Sequence, residues 1–230
     1  MEIDIAANIN AVRQKIAVAA AKSQRAPDSI KLLAVTKTVS PLYIGKAIDA
    51  GILMFGENYV REAKEKIAVI EKNVRWHMIG HLQTNKAKYA VRLFDYIHSV
   101  DRIDLARELD KKAGTTGRKI NILVEVNVSG EKTKNGIPAY AAVSLIKNIS
   151  RLENLSVGGL MTMAPYSTNP EDARPYFKAL RNLRDTIINE GITNINMEEL
   201  SMGMTDDFEI AIEEGATIVR IGRAIFGERR

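Results

Sequence analysis

Ile30-Lys31-Leu32-Leu33-Ala34-Val35-Thr36-Lys37 is a short aliphatic run that ends on a lysine. So apolar a stretch, with so little alternation, predicts a strand buried on both faces, as in a parallel sheet. Upstream, Ile5, Ile9, Val12 and Ile16 recur at spacings of four, three and four, which predicts a helix over 4–22 with one apolar stripe. Pro27 ends that region. Downstream, Ser40-Pro41 offers an N-cap followed by proline at the first helical position, and the helix it opens is expected to stop at Gly51.

This strand-then-helix unit recurs. Further strands are predicted at 52–55, 76–79, 96–98, 120–128, 155–161, 195–200 and 217–221. Helices are predicted at 58–70, 84–94, 101–113, 138–149, 171–190 and 205–214, with Gly114 and Gly191 as stops and Asp206 and Asp207 suited to the positive end of the last dipole. Alternation of strands and helices implies parallel strands joined by crossover helices. Eight strands is the number that closes a (β/α)8 TIM barrel, so the expected fold is α/β, a single barrel with an additional N-terminal helix. Seven helices lie between the strands, and the N-terminal helix is expected to fill the vacant outer place beside the last strand. A doubly wound open sheet is the alternative. No linker, low-complexity segment or charge block divides the chain, so residues 1–230 are expected to form one domain.

Composition removes several function classes. Cysteine is absent, which excludes disulfides, thiolate metal sites, Fe–S clusters and a cysteine nucleophile. Three histidines leave little for a histidine-rich metal centre, and the pair His77 and His81 spans a strand end and a turn without an HExxH pattern, so no metal is expected. The net charge is +5, but Lys and Arg are mixed with Asp and Glu along most of the chain. The most basic patch, Lys86 to Arg92, reads as a solvated helix face, so nucleic acid is not an expected partner. No apolar run approaches the roughly 20 residues that span a bilayer. The start, MEIDIAANINAVRQKI, lacks the layout of a secretory signal. A cytoplasmic protein without membrane contact is expected, acting as a monomer.

In a barrel of this kind the working residues lie at the C-terminal strand ends. Lys37 follows Leu32-Leu33-Ala34-Val35 directly. Partly desolvated there, its neutral amine can attack a carbonyl to form a Schiff base; the plainer reading is a lysine pointing into solvent. Ser201-Met202-Gly203-Met204-Thr205 and Gly222-Arg223 follow the last two strands, where barrels of this type often hold phosphate on backbone N–H groups; ordinary turns with a capping threonine are the alternative. Arg220 sits among aliphatics in the last strand and needs a partner if it points inward: a ligand ring nitrogen, or an acid such as Glu125 or Glu199. Asn58 is suited to a ligand's ring oxygen or to an N-cap. His77 reads as a core residue and His81 as a residue at the mouth. Met161 either fills the core or packs on a flat ring.

Six segments then appear in one order: Leu-Leu-Ala-Val-Thr-Lys at 32–37, Phe-Gly-Glu-Asn-Tyr at 55–59, Trp-His-Met-Ile-Gly-His-Leu-Gln at 76–83, Gly-Leu-Met-Thr-Met at 159–163, Leu-Ser-Met-Gly-Met at 200–204 and Val-Arg-Ile-Gly-Arg-Ala-Ile-Phe-Gly at 219–227. Together they closely resemble the YggS/PROSC family of pyridoxal phosphate homeostasis proteins, over essentially the whole chain. The resemblance implies the barrel of the alanine racemase N-terminal domain and pyridoxal 5′-phosphate (PLP) as cofactor. By the resemblance, Lys37 matches the lysine of the internal aldimine, and Arg220 the arginine facing the pyridine nitrogen. Ser201, Met202, Gly222 and Arg223 match positions around the phosphate, and Asn58 and Met161 match residues lining the ring. His81 at the mouth completes the expected cofactor-binding set. Arg223 departs from the family pattern, in which Ser or Thr is frequent, so a hydroxyl contact is lost there. An arginine at the ring nitrogen weakens the electron sink. The sequence also ends just after the barrel, where alanine racemase continues into a second domain that supplies a tyrosine acid/base. The expected function is therefore storage, buffering or delivery of PLP, with PLP-dependent apo-enzymes as partners, rather than catalysis. A small amino-acid racemase or lyase is the runner-up, and an aldolase using a sugar-phosphate Schiff base is a third class.

Overall fold

The computed structural model describes residues 3–131 and 133–228. Eight of its strands close one parallel barrel: β1 (Lys31–Val35), β2 (Met54–Glu57), β3 (Arg75–Met78), β4 (Tyr96–Val100), β5 (Ile120–Asn127), β7 (Leu155–Met161), β8 (Ile195–Ser201) and β9 (Ile218–Ile221). Their order is β4-β3-β2-β1-β9-β8-β7-β5, and pairing of β4 with β5 shuts the ring. The two residues of β6 (Ile137–Pro138) hang on the end of β5. Closure excludes the open sheet.

Helices α1 (Ile5–Lys22), α2 (Pro41–Asp49), α3 (Val60–Ile67), α4 (Ala87–Leu93), α5 (Ile103–Gly114), α6 (Ala139–Ile149), α7 (Arg174–Asn189), α8 (Phe208–Glu213) and α9 (Arg223–Phe226) surround the strands. The predicted stripe of α1 is the face it buries, with Ile5, Ile9, Val12 and Ile16 all within the core. At roughly 2 kcal/mol for each aliphatic side chain removed from water, that face is enough to anchor the helix. Asp4 caps it by accepting from the Ala7 N–H, at 2.9 Å. The helix packs against α2, α8 and α9, which is the vacant outer place the sequence suggested.

Some boundaries moved. The second strand begins at Met54 rather than 52 and runs on to Glu57, whose charge is matched inside the fold. Ser40 and Pro41 open α2 as expected, although the serine side chain makes no cap bond. The cap of α3 is Tyr59, so Asn58 is not an N-cap. The helix expected over 205–214 starts only at Phe208, because Asp207 turns back to accept from the Met204 N–H at 2.6 Å. The short α9 has too few residues to show a period and went unread.

Candidate functional site

Parallel strands that all run one way gather their C-terminal ends on one rim. Val35 of β1 leads to Lys37, and β9, paired beside β1 with Ala34 opposite Ile221, leads to Gly222 and Arg223. Between them opens a cleft of about 370 Å³, lined among others by Val35, Lys37, Thr38, Tyr43, Gly222 and Arg223. Lys37 is half-buried there. Among the described residues, no turn or cap bond uses the N–H of Gly203, Gly222 or Arg223 as donor. The Arg223 guanidinium turns away from these donors to Asp206, and reaches Glu228 at 3.4 Å.

Under the rim the barrel interior is polar. His77 Nδ1 lies 2.9 Å from His98 Nε2, and His98 Nδ1 lies 3.0 Å from Ser201 Oγ. Arg220 donates to Ser201 Oγ at 2.7 Å and to the Thr162 carbonyl at 2.8 Å. His98 is on β4 and Ser201 on β8, which are not neighbours in the ring, so this chain crosses the barrel from wall to wall. Burial drives the histidines to their neutral forms: His77 falls to about 3, and His98 well below its ordinary value. Neutral rings can each give one N–H and accept one, which a continuous chain requires. His77 Nε2 closes the far end without a partner among the described residues. Burial pulls Arg220 down to about 10, against the opposing charges of Asp207 and Glu125, so the guanidinium stays charged at neutral pH. No ion pair among the described residues joins it to Glu125 or Glu199; Glu199 is taken by Lys31 and by the Thr217 hydroxyl, at 2.7 Å.

The nine expected site residues therefore fall into three groups. Lys37, Gly222 and Arg223 share the cleft. Arg220 and Ser201 are bonded beneath it, with Met161 paired beside Ser201 and Met202 buried next in line. Asn58 and His81 instead line a second groove of about 630 Å³, with Tyr59, Lys64, Lys86 and Tyr89. His81 is exposed there, 4.0 Å from the Asp101 carboxylate, whereas His77 is in the core. The Ser201 hydroxyl is spent inside the barrel, and the Met202 N–H donates to the Ile218 carbonyl at 3.1 Å. Of the residues expected around a phosphate, Gly222 and Arg223 line the cleft. Reasoning from sequence missed Thr38 and Tyr43 of the cleft and the role of His98 as a bridge. The only local sign of the last was a histidine at a strand end.

A closed parallel barrel that sets a strand-end lysine in one cleft with a glycine turn defines a class of barrel suited to an amine-reactive, anionic small molecule. The family model for the alanine racemase N-terminal domain matches residues 5–230. The pyridoxal phosphate homeostasis protein of Aquifex aeolicus is 45% identical over 223 residues, covering 96% of this chain and 97% of the relative. A solved structure of an unknown protein from Bifidobacterium adolescentis matches with a TM-score of 0.91 and 37% identity, over 96% of this chain and 94% of that one. PipY of Synechococcus elongatus PCC7942, solved with PLP bound, matches with a TM-score of 0.85 and 32% identity, over 97% of this chain and 100% of that one. The chain belongs to the pyridoxal phosphate homeostasis proteins of the alanine racemase N-terminal-domain family.

Proposed function

We propose that this chain binds PLP at the rim cleft and holds it for storage, buffering or delivery to PLP-dependent apo-enzymes, as one domain and a monomer of the cytoplasm. The observation that carries this reading is the single cleft shared by Lys37 and the Gly222-Arg223 turn. The residues fit the molecule. An aldehyde needs an amine, and Lys37 supplies one from a half-buried strand end. A phosphate needs N–H donors at close approach, and the Gly222-Arg223 turn brings its backbone to the cleft. When bound, PLP supplies an aldehyde for an amine and a ring that draws electrons from that amine's substituent.

The remaining residues favour holding over turnover. Arg220 is donor-only and charged, so its guanidinium gives a hydrogen bond to a ring nitrogen and no proton. Its two bonds to Ser201 and Thr162 fix it in place, and the histidine chain backs Ser201. Met161 and Met202 are buried beside Ser201, which makes that part of the interior apolar. Loaded protein incubated with a panel of amino acids, followed by chiral chromatography, tests the reading. The expected result is no racemisation above free PLP, with recovery of activity in an added PLP-dependent apo-enzyme. Robust racemisation that is lost in Lys37→Ala would establish the racemase instead.

A further inference from the structure

Lys37 sits in a turn that other residues hold from below. Lys66 of α3 is buried, its side chain only 6% exposed, and its ammonium has three donors. All three are used: on the Thr36 carbonyl at 2.5 Å, on Glu57 Oε1 at 2.7 Å and on Glu62 Oε1 at 2.6 Å. Both carboxylates reach back to the same turn. Glu57 Oε1 accepts from the Thr36 hydroxyl at 2.7 Å, and Glu62 Oε1 accepts from the Thr38 N–H at 2.5 Å.

The Thr36 carbonyl belongs to the peptide group before Lys37, and the Thr38 N–H to the peptide group after it. Fixing those two planes fixes φ and ψ of Lys37, and with them the direction of its Cα–Cβ bond. Thr38 also has φ of 65°, in the left-handed region where a β-branched residue is strained by about 1–2 kcal/mol. Such a conformation persists only where its surroundings over-determine it, and the Glu62 bond to its N–H is one such restraint. A bare hydrophobic contact would not need this arrangement. Burying an ammonium costs several kcal/mol unless every donor is met.

The geometry points to Lys66, with Glu57 and Glu62, as positioning residues that aim the Lys37 amine into the cleft. This rests on the reading of Lys37 as the coenzyme-binding amine. It goes beyond that reading by making the amine's competence depend on a helix that does not line the cleft.

Two measurements on the full chain test it. One is brief acetylation with acetic anhydride, without PLP, read by peptide mass spectrometry as labelling of Lys37 relative to exposed Lys88. The other is the dissociation constant for PLP from absorbance titration. In Lys66→Met, relative labelling of Lys37 should rise at least threefold as the turn frees it, and PLP binding should weaken about tenfold. Lys66→Arg should recover part of both, and Glu65→Gln, on the exposed side of the same helix, should change neither. Should Lys66→Met fail to fold, Glu62→Ala releases the Thr38 N–H, and with it one of the three Lys66 bonds, at a partly exposed site and should shift both readouts about threefold in the same directions. Folded variants with wild-type labelling of Lys37 overturn the inference, whatever happens to PLP. If PLP proves to bind through another lysine, the proposed function fails, while the acetylation ratio still reports on the clamp.

Discussion

Glu125 offers a sharp test of how the interior is balanced. It lies on β5 with Met161 opposite, and is 3% exposed. Burial pushes its carboxyl up from 4.5 to about 7, with Asp101 adding to the rise and Arg220 opposing it. An acid whose pKa is raised by folding binds more protons folded than unfolded between those two values. Its ionisation therefore destabilises the fold as pH climbs through that window. The cost is absent below about pH 4.5 and complete above about pH 7. At about 1.4 kcal/mol for each pKa unit, it amounts to roughly 3 kcal/mol. In a domain of this size 1 kcal/mol moves the melting midpoint by roughly 2–4 °C. Glu125→Gln keeps the shape and removes the charge. Its cost as a buried amide is the same at every pH, so the change in the gap between variant and wild type isolates the charge. Melts followed by circular dichroism at pH 5 and pH 8, which span about 2.5 kcal/mol of that cost, should show Glu125→Gln gaining roughly 5–10 °C on wild type between the two. A gap that stays constant with pH, or that moves the other way, refutes the reasoning.

Three further outcomes follow from the same structure. His77 is held at about 3 by burial, below its ordinary 6.5, so the unfolded chain binds the proton first and stability drains away as pH falls through that window; urea midpoints of wild type and His77→Gln should converge between pH 7 and pH 4. Gly203 has φ of 90°, and a Cβ there would lie 2.5 Å from Ala211 Cβ and 2.9 Å from Phe208 Cα. Gly203→Ala should therefore cost about 3 kcal/mol in urea unfolding, from backbone strain and overpacking together. Arg220→Met removes the donor-only group beneath the cleft and should weaken PLP binding at least tenfold by absorbance titration, an effect that Arg220→Lys only partly restores because a single ammonium lacks the planar fork.

The sequence showed the barrel because its evidence is local. Leu155–Met161 is a short run broken only by Ser156 among apolar residues and glycines, and the structure gives that strand the same bounds. The stripe of α1 is likewise written at helical spacing. What stayed hidden depends on distance along the chain. His98 meets Ser201 across 103 residues, and no spacing rule connects two strands that are not even neighbours in the sheet. Glu57 reads as a polar strand end until Lys66 and Thr36 are seen around it. Arg223 looked like a phosphate ligand because it follows Gly222; its guanidinium is claimed by Asp206, a carboxylate 17 residues earlier. Asn58, expected from the resemblance, and His81, expected at the mouth, line a different groove from Lys37, a separation that no local spacing encodes.

The identity of the amine that receives the coenzyme is the central point to measure. Purified protein should be loaded with PLP, reduced with borohydride, digested and mapped by mass spectrometry. A pyridoxyl mass on the peptide containing Lys37, with loss of a visible band near about 420 nm on reduction and no labelling in Lys37→Ala, is the predicted result. A label on another lysine, or a protein that stays colourless in excess PLP, would contradict it.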